Sequence, residues 1–144
     1  MKIGRAHGGG GRETEKLIKE IIEPLSNPAL LDMEDGAVLT PDSDIVFTTD
    51  SFVVKPLFFP GGDIGKLSVC GTINDLAVMG AVPRWISLSL ILEEGLDLDV
   101  LQKIIRSIEE ECSEQDIDVV CGDTKVVEKG SGDSIFINTA GIGE

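Results

Sequence analysis

Basic side chains and aromatic rings are what this chain is short of. Twelve lysines and arginines stand against 26 aspartates and glutamates, a formal charge of -14 at pH 7. Such a chain repels phosphate backbones and anionic lipid unless metal ions or local basic pockets intervene, so nucleic acid and membrane surfaces are poor partners for it. Tyrosine is absent and histidine occurs once, as His7, which excludes a multi-histidine metal site. The three cysteines, Cys70, Cys112 and Cys121, are odd in number and show no paired spacing, which argues against a disulfide framework or a zinc knuckle. Unpaired cysteine usually behaves as a small hydrophobe, so all three are predicted to be reduced core residues, Cys121 alone adjoining a candidate site. There is no long uninterrupted apolar run, and the polar, Gly-rich N-terminus lacks a basic-then-apolar secretory pattern; both predict a cytoplasmic protein.

The 144 residues suffice for one domain with a real core, 1–144, and nothing suggests a second. The organising stretch is 48–81. Apolar alternation and β-branched residues over 44–54 predict a strand; Pro60, Gly61 and Gly62 stop it, and Asp63 stands where the N-cap of the following helix belongs. Asp50 then lies on the strand and Asp75 inside the helix, both among small or apolar neighbours unlike those of a solvated face.

Elsewhere the pattern is regular. Leu17, Ile18, Ile21 and Ile22 mark one face of a helix ending before Pro24, and 28–33 reads as a connector. The apolar run Ala37, Val38 and Leu39, with a turn at 41–44, predicts a hairpin with the next strand that brings Asp35 near Asp50. Alternation over 84–92 turns Ile86, Leu88, Leu90 and Leu92 one way, and Trp85, Ser87, Ser89 and Ile91 toward a half-polar face suited to another subunit. A helix opening near Asp97 carries Leu101, Ile104, Ile105, Ile108 and Cys112 at core spacing, with Glu109, Glu110 and Glu111 read as a solvated run. Strands over 117–121 and 134–142 follow. The expected architecture is an α/β two-layer sandwich, a small mixed sheet with its helices on one side.

Two groups of residues point to chemistry. Gly8 to Gly11 precede a helix, where backbone N–H groups converge on an anion; the alternative is a loose tail. Asp35, Asp50, Asp75 and Asp123 each sit beside Gly, Thr, Ser or Asn near a turn or element end. Bare carboxylates about 5 Å apart repel by roughly 3 kcal/mol per pair at an effective dielectric near 20, so a cluster of them needs a cation. Magnesium fits, since it takes oxygen ligands and shares them with phosphates, which would let an acidic protein bind ATP. The alternative is four unrelated caps and turn formers.

The order of these pieces, from the Gly-rich opening through the 48–81 stretch to Gly122-Asp123-Thr124-Lys125, closely resembles the N-terminal half of the hydrogenase maturation factor HypE. That family belongs with aminoimidazole ribotide synthetase, selenophosphate synthetase and thiamine-monophosphate kinase. The resemblance implies an N-terminal ATP-binding domain whose sheets pair across a homodimer into a closed barrel. It places Asp35, Asp50, Asp75 and Asp123 around magnesium, and Gly9, Gly10, Gly11, Asp50, Asn74, Asp75, Asp123, Thr124 and Lys125 at the nucleotide, with Lys125 meeting phosphate and Lys55 a weaker candidate. It further implies ATP-dependent dehydration of a carbamoylated C-terminal cysteine to thiocyanate, for the cyanide ligands of nickel-iron hydrogenase, with carbamoyltransferase and iron-scaffold partners. The family's second domain and cysteine tail are absent from these residues, so the fragment alone is expected to be inactive. The rival readings are a kinase or synthetase of the same superfamily and a non-catalytic dimerisation or docking module.

Overall fold

A computed structural model describes residues 2–25, 27–31 and 36–144. After a 3-10 turn at Arg5–Gly8 come helix α1 (Arg12–Leu25), the short α2 (Pro28–Leu31) and strand β1 (Val46–Phe52). A two-residue ribbon, β2 (Phe58–Phe59) with β3 (Gly62–Asp63), leads into α3 (Ile64–Val78). Then follow β4 (Pro83–Glu93), α4 (Leu98–Glu114), β5 (Asp118–Val127) and β6 (Ile135–Gly143). The main sheet has four strands in the order β1-β6-β4-β5; β6 is antiparallel to both neighbours, while β4 and β5 run parallel, joined through α4.

Local chemistry accounts for these elements. In β4, Ile86, Leu88, Leu90 and Leu92 are all buried, and α4 buries Leu101, Ile104, Ile105, Ile108 and Cys112 against them, as the two periodicities require. Burying each of these aliphatic side chains contributes about 1.5–3 kcal/mol. Asp63 caps α3, its Oδ1 accepting from Gly65 N at 2.6 Å and Lys66 N at 3.1 Å. The helices lie on one side of the mixed sheet, the expected two-layer arrangement, with Leu17 and Ile21 of α1 joining the same core. No helix among the described residues is long and apolar enough to cross a membrane.

Several expectations are corrected. Residues 37–41 lie outside any strand, so the hairpin with β1 does not form; β1 pairs with β6, and Asp35 is outside the described residues. Helix α1 runs through Pro24 to Leu25, and part of the predicted connector is the helical turn α2. The N-terminus is no loose tail: Ile3 is 2% exposed, its N–H donates to Leu96 O at 2.8 Å and its carbonyl accepts from Gly95 N at 2.7 Å. Nor is Glu111 solvated. It is buried, accepting from Lys66 Nζ and, at 3.5 Å, from Cys70 Sγ, because α3 packs over that turn of α4. Of the cysteines, Cys112 is buried, its thiol pushed up to about 12 by burial, but Cys70 is exposed.

Candidate functional site

In β1 the side chains alternate, so Thr48, Asp50 and Phe52 turn toward the helices and Phe47, Thr49 and Ser51 toward the open side. Helix α3 lies antiparallel on this strand. Thr48 Oγ1 donates to Asp75 Oδ2 at 3.3 Å, and one turn earlier Gly71 faces Asp50 and Phe52. A Cβ on Gly71 would stand 2.7 Å from Phe52 Cε1 and 3.7 Å from Asp50 Oδ2. Opposite Thr48, a Cβ on Gly141 would stand 2.5 Å from Thr72 Cγ2. Two missing side chains thus let helix and sheet approach, and the half-buried Asp50 of β1 and Asp75 of α3 come to lie along one seam, Asp50 facing Gly71 and Asp75 facing Thr48 one helical turn on.

The seam is held from below and from outside. The Thr72 and Thr139 hydroxyls hydrogen-bond beneath it. On the open side, Asn138 Nδ2 donates to Asp50 O at 2.8 Å and Ser51 Oγ at 3.0 Å, tying β1 to β6 at the carboxylate's own residue. Asp50 Oδ1 accepts from Ser51 N at 2.7 Å. The sequence reading passed over Thr48 and Asn138; the signal for Thr48 was its alternation in phase with Asp50.

The remaining predicted residues gather elsewhere. Asp123 pairs with Ser89 and Lys125 with Ile91 in β5, at the other edge of the sheet and on its open side, three strand spacings or roughly 14 Å from β1. Thr124 turns to the helix side beside a cavity of about 180 Å³ whose other wall is Ile18, Ile22 and Leu25 of α1. The Gly-rich loop lies at this edge too, with Gly8 packed on Val126, where a Cβ would come within 2.9 Å. Its N–H groups are engaged: those of Gly10 and Gly11 donate to Thr14 Oγ1 at 2.9 and 3.4 Å, capping α1. Asn74 is exposed on α3. Lys125 is exposed, whereas Lys55 is paired with Asp133 at 2.8 Å, which raises its pKa. One chain therefore brings together Asp50 and Asp75 but not Asp123. Among the described residues no three His, Cys, Asp or Glu side chains could hold a metal ion. Two carboxylates and a hydroxyl suit magnesium that keeps part of its water and shares phosphate oxygens, not a closed protein cage.

The open side of the sheet has its own pattern. One row runs Phe47, Ile142, Trp85; two polar rows follow, Thr49, Ala140, Ser87 and then Ser51, Asn138, Ser89; a last apolar row is Phe136, Ile91. Phe47 is 63% exposed and Ile91 41%, and among the described residues no helix covers this face.

Comparison with known proteins agrees with this architecture. Residues 33–144 match the family described as AIR synthase related protein, N-terminal domain. The chain is 48% identical to carbamoyl dehydratase HypE of Escherichia coli K12 over 145 residues, covering 96% of this chain and 43% of that protein. A crystal structure of the hydrogenase maturation protein HypE in complex with ATP superposes with a TM-score of 0.95 at 45% identity, over 98% of this chain and 42% of that one. HypE in a HypE–HypF complex matches with a TM-score of 0.69 at 50% identity, over 92% of this chain and 42% of that one. The chain thus spans well under half the length of the proteins it matches. With the matched family covering most of its residues, and a likeness to HypE running through nearly all of them, this chain belongs to the AIR synthase related proteins as an N-terminal domain of that family.

Proposed function

We propose that these residues form the nucleotide-binding half of an ATP-dependent carbamoyl dehydratase of the HypE kind, using magnesium and acting as a homodimer. The observation that carries this reading is the Asp50–Asp75 seam, where two half-buried carboxylates from strand and helix share one crevice; carboxylates brought to about 5 Å repel by roughly 3 kcal/mol, which a cation between them would offset. Likeness over 98% of the chain to a HypE crystallised with ATP supports ATP as the nucleotide. Asp50 and Asp75 would hold the ion, with Asp35 a further ligand. When bound, magnesium supplies charge neutralisation on the phosphates. Lys125 presents an exposed ammonium to phosphate, with Asp123, Thr124 and Asn74 as polar neighbours, and the N–H groups of Gly9, Gly10 and Gly11 close over the anion once Thr14 lets go of two of them.

This reading requires a second copy. Asp123 and Lys125 stand at the sheet edge opposite Asp50, so a second copy set edge to edge would bring one chain's Asp50 beside the other's Asp123 and Lys125 around a single nucleotide. The uncovered apolar rows at Phe47–Ile142–Trp85 and Phe136–Ile91 support pairing of the two sheets into a barrel. Dehydration of a carbamoylated cysteine to thiocyanate is the activity of the whole enzyme, in the cytoplasm. The partners this reading implies are a carbamoyltransferase and an iron-scaffold protein; a HypE crystallised in a HypE–HypF complex supports a partner among the maturation proteins.

Calorimetric titration with ATP and magnesium tests the site. Binding is expected for the chain, and Asp75→Asn should weaken it at least tenfold with an unchanged circular dichroism spectrum, because a charged ligand is lost and no core contact. Binding by Asp75→Asn equal to that of the parent chain refutes the metal assignment.

A further inference from the structure

We infer that Thr48 is a positioning residue that sets the orientation of the Asp75 carboxylate, an inference that rests on Asp75 being a magnesium ligand as proposed above. Three observations lead to it. Thr48 and Asp50 share the inward face of β1, so the hydroxyl comes from the strand that carries the other carboxylate. Its Oγ1 lies 3.3 Å from Asp75 Oδ2, and among the described residues no other hydrogen bond or ion pair reaches that carboxylate. The adjacent Thr49 turns outward and bonds Thr139 O at 2.9 Å, so the two threonines of the pair do different work, one on the sheet backbone and one on the site.

The physical reason is rotamer selection. Asp75 is half-exposed in the last third of α3, where water would leave its carboxylate several orientations of similar energy. A β-branched threonine in a strand is itself stiff at χ1, so its hydroxyl is a fixed donor. Bonding one carboxylate oxygen to Thr48 holds the side chain over β1 and leaves the second oxygen free for a ligand. The bland alternative is that Thr48 only fills space beside Gly141: its Cγ2 lies 3.6 Å from where a Cβ on that glycine would be. The methyl and the hydroxyl thus serve the two readings separately, and substitution can split them.

Thr48→Val keeps the branched shape and removes the donor; Thr48→Ser keeps the donor and removes the methyl. The magnesium dissociation constant is measured on the full chain in the presence of ATP. The expected result is a rise of roughly tenfold in Thr48→Val and within about twofold of the parent chain in Thr48→Ser. Parent-like affinity in Thr48→Val overturns the inference, whatever Thr48→Ser does. The Hα–Hβ couplings of Asp75, read by NMR without nucleotide, decide the same question independently of ATP binding. A single rotamer in the parent chain and Thr48→Ser, averaged in Thr48→Val, is the expected pattern; unchanged couplings in Thr48→Val, or an averaged rotamer in the parent chain, overturn it. A parent chain that fails to bind magnesium and ATP sinks the nucleotide reading, and the couplings alone then judge Thr48.

Discussion

Gly141 lies opposite Thr48 and beneath α3, where an added methyl would sit 2.5 Å from Thr72 Cγ2 and 3.1 Å from Leu76 Cδ1. Thr72 is fully packed and hydrogen-bonded to Thr139, so neither side can give without moving the helix. Gly141→Ala is therefore expected to cost about 1–3 kcal/mol, as overpacking does, and to weaken magnesium binding by lifting Asp75 off Asp50; urea denaturation and calorimetry would read the two effects. Parent-like stability would mean that α3 can shift freely. At this scale the sequence announced the acidic residues, since Asp50 and Asp75 have small or apolar neighbours. It did not announce what the two glycines were for. A glycine in a helix or strand looks merely weak until another element is known to cross it closely.

Helices α1, α3 and α4 and strands β1, β4, β5 and β6 formed where periodicity put them, the predicted strand at 37–39 did not, and local hydrogen bonds fixed several ends. Asp63 caps α3 as its position before a helical stretch predicts. The turn between β5 and β6 is stapled differently, by Glu93 at the end of β4, whose carboxylate accepts from Gly130 N and from Ser134 N at 2.9 Å. Those two N–H bonds hold the Glu93 pKa below the ordinary 4.5. A carboxylate depressed in this way contributes its full stabilisation above the unfolded pKa near 4.5 and loses it as pH falls through the lower folded value. Amide protection at Gly130 and Ser134 should accordingly fall on acidification below 4.5, and Glu93→Gln should remove that pH dependence; hydrogen exchange with constant protection down to the acid limit of folding would contradict the staple. Composition alone misjudged α4. The run Glu109, Glu110, Glu111 looks solvated, but helical phase puts Glu111 on the side that α3 covers, where Lys66 and Cys70 meet it.

For the whole molecule the uncovered side of the sheet is the feature with the largest consequence. Ile142 lies at the centre of its apolar row, between Phe47 and Trp85, so Ile142→Lys would put a charge where the proposed partner sheet packs. A dimer is expected for the parent chain in sedimentation at micromolar concentration, and a monomer of similar thermal stability for Ile142→Lys; a monomeric parent chain would remove the barrel and, with it, the means of joining Asp123 to Asp50. The sequence by itself determined the helix and strand faces, the cap at Asp63 and the family, because periodicity and motif order are properties of neighbouring residues along the chain. Only the tertiary structure decided the strand order β1-β6-β4-β5, which separates Asp123 from Asp50, and the close approach of α3, which joins Asp50 to Asp75. Both depend on pairings between residues far apart in the chain, and a repeat of two or of 3.6 says which side of an element is buried but not what will bury it.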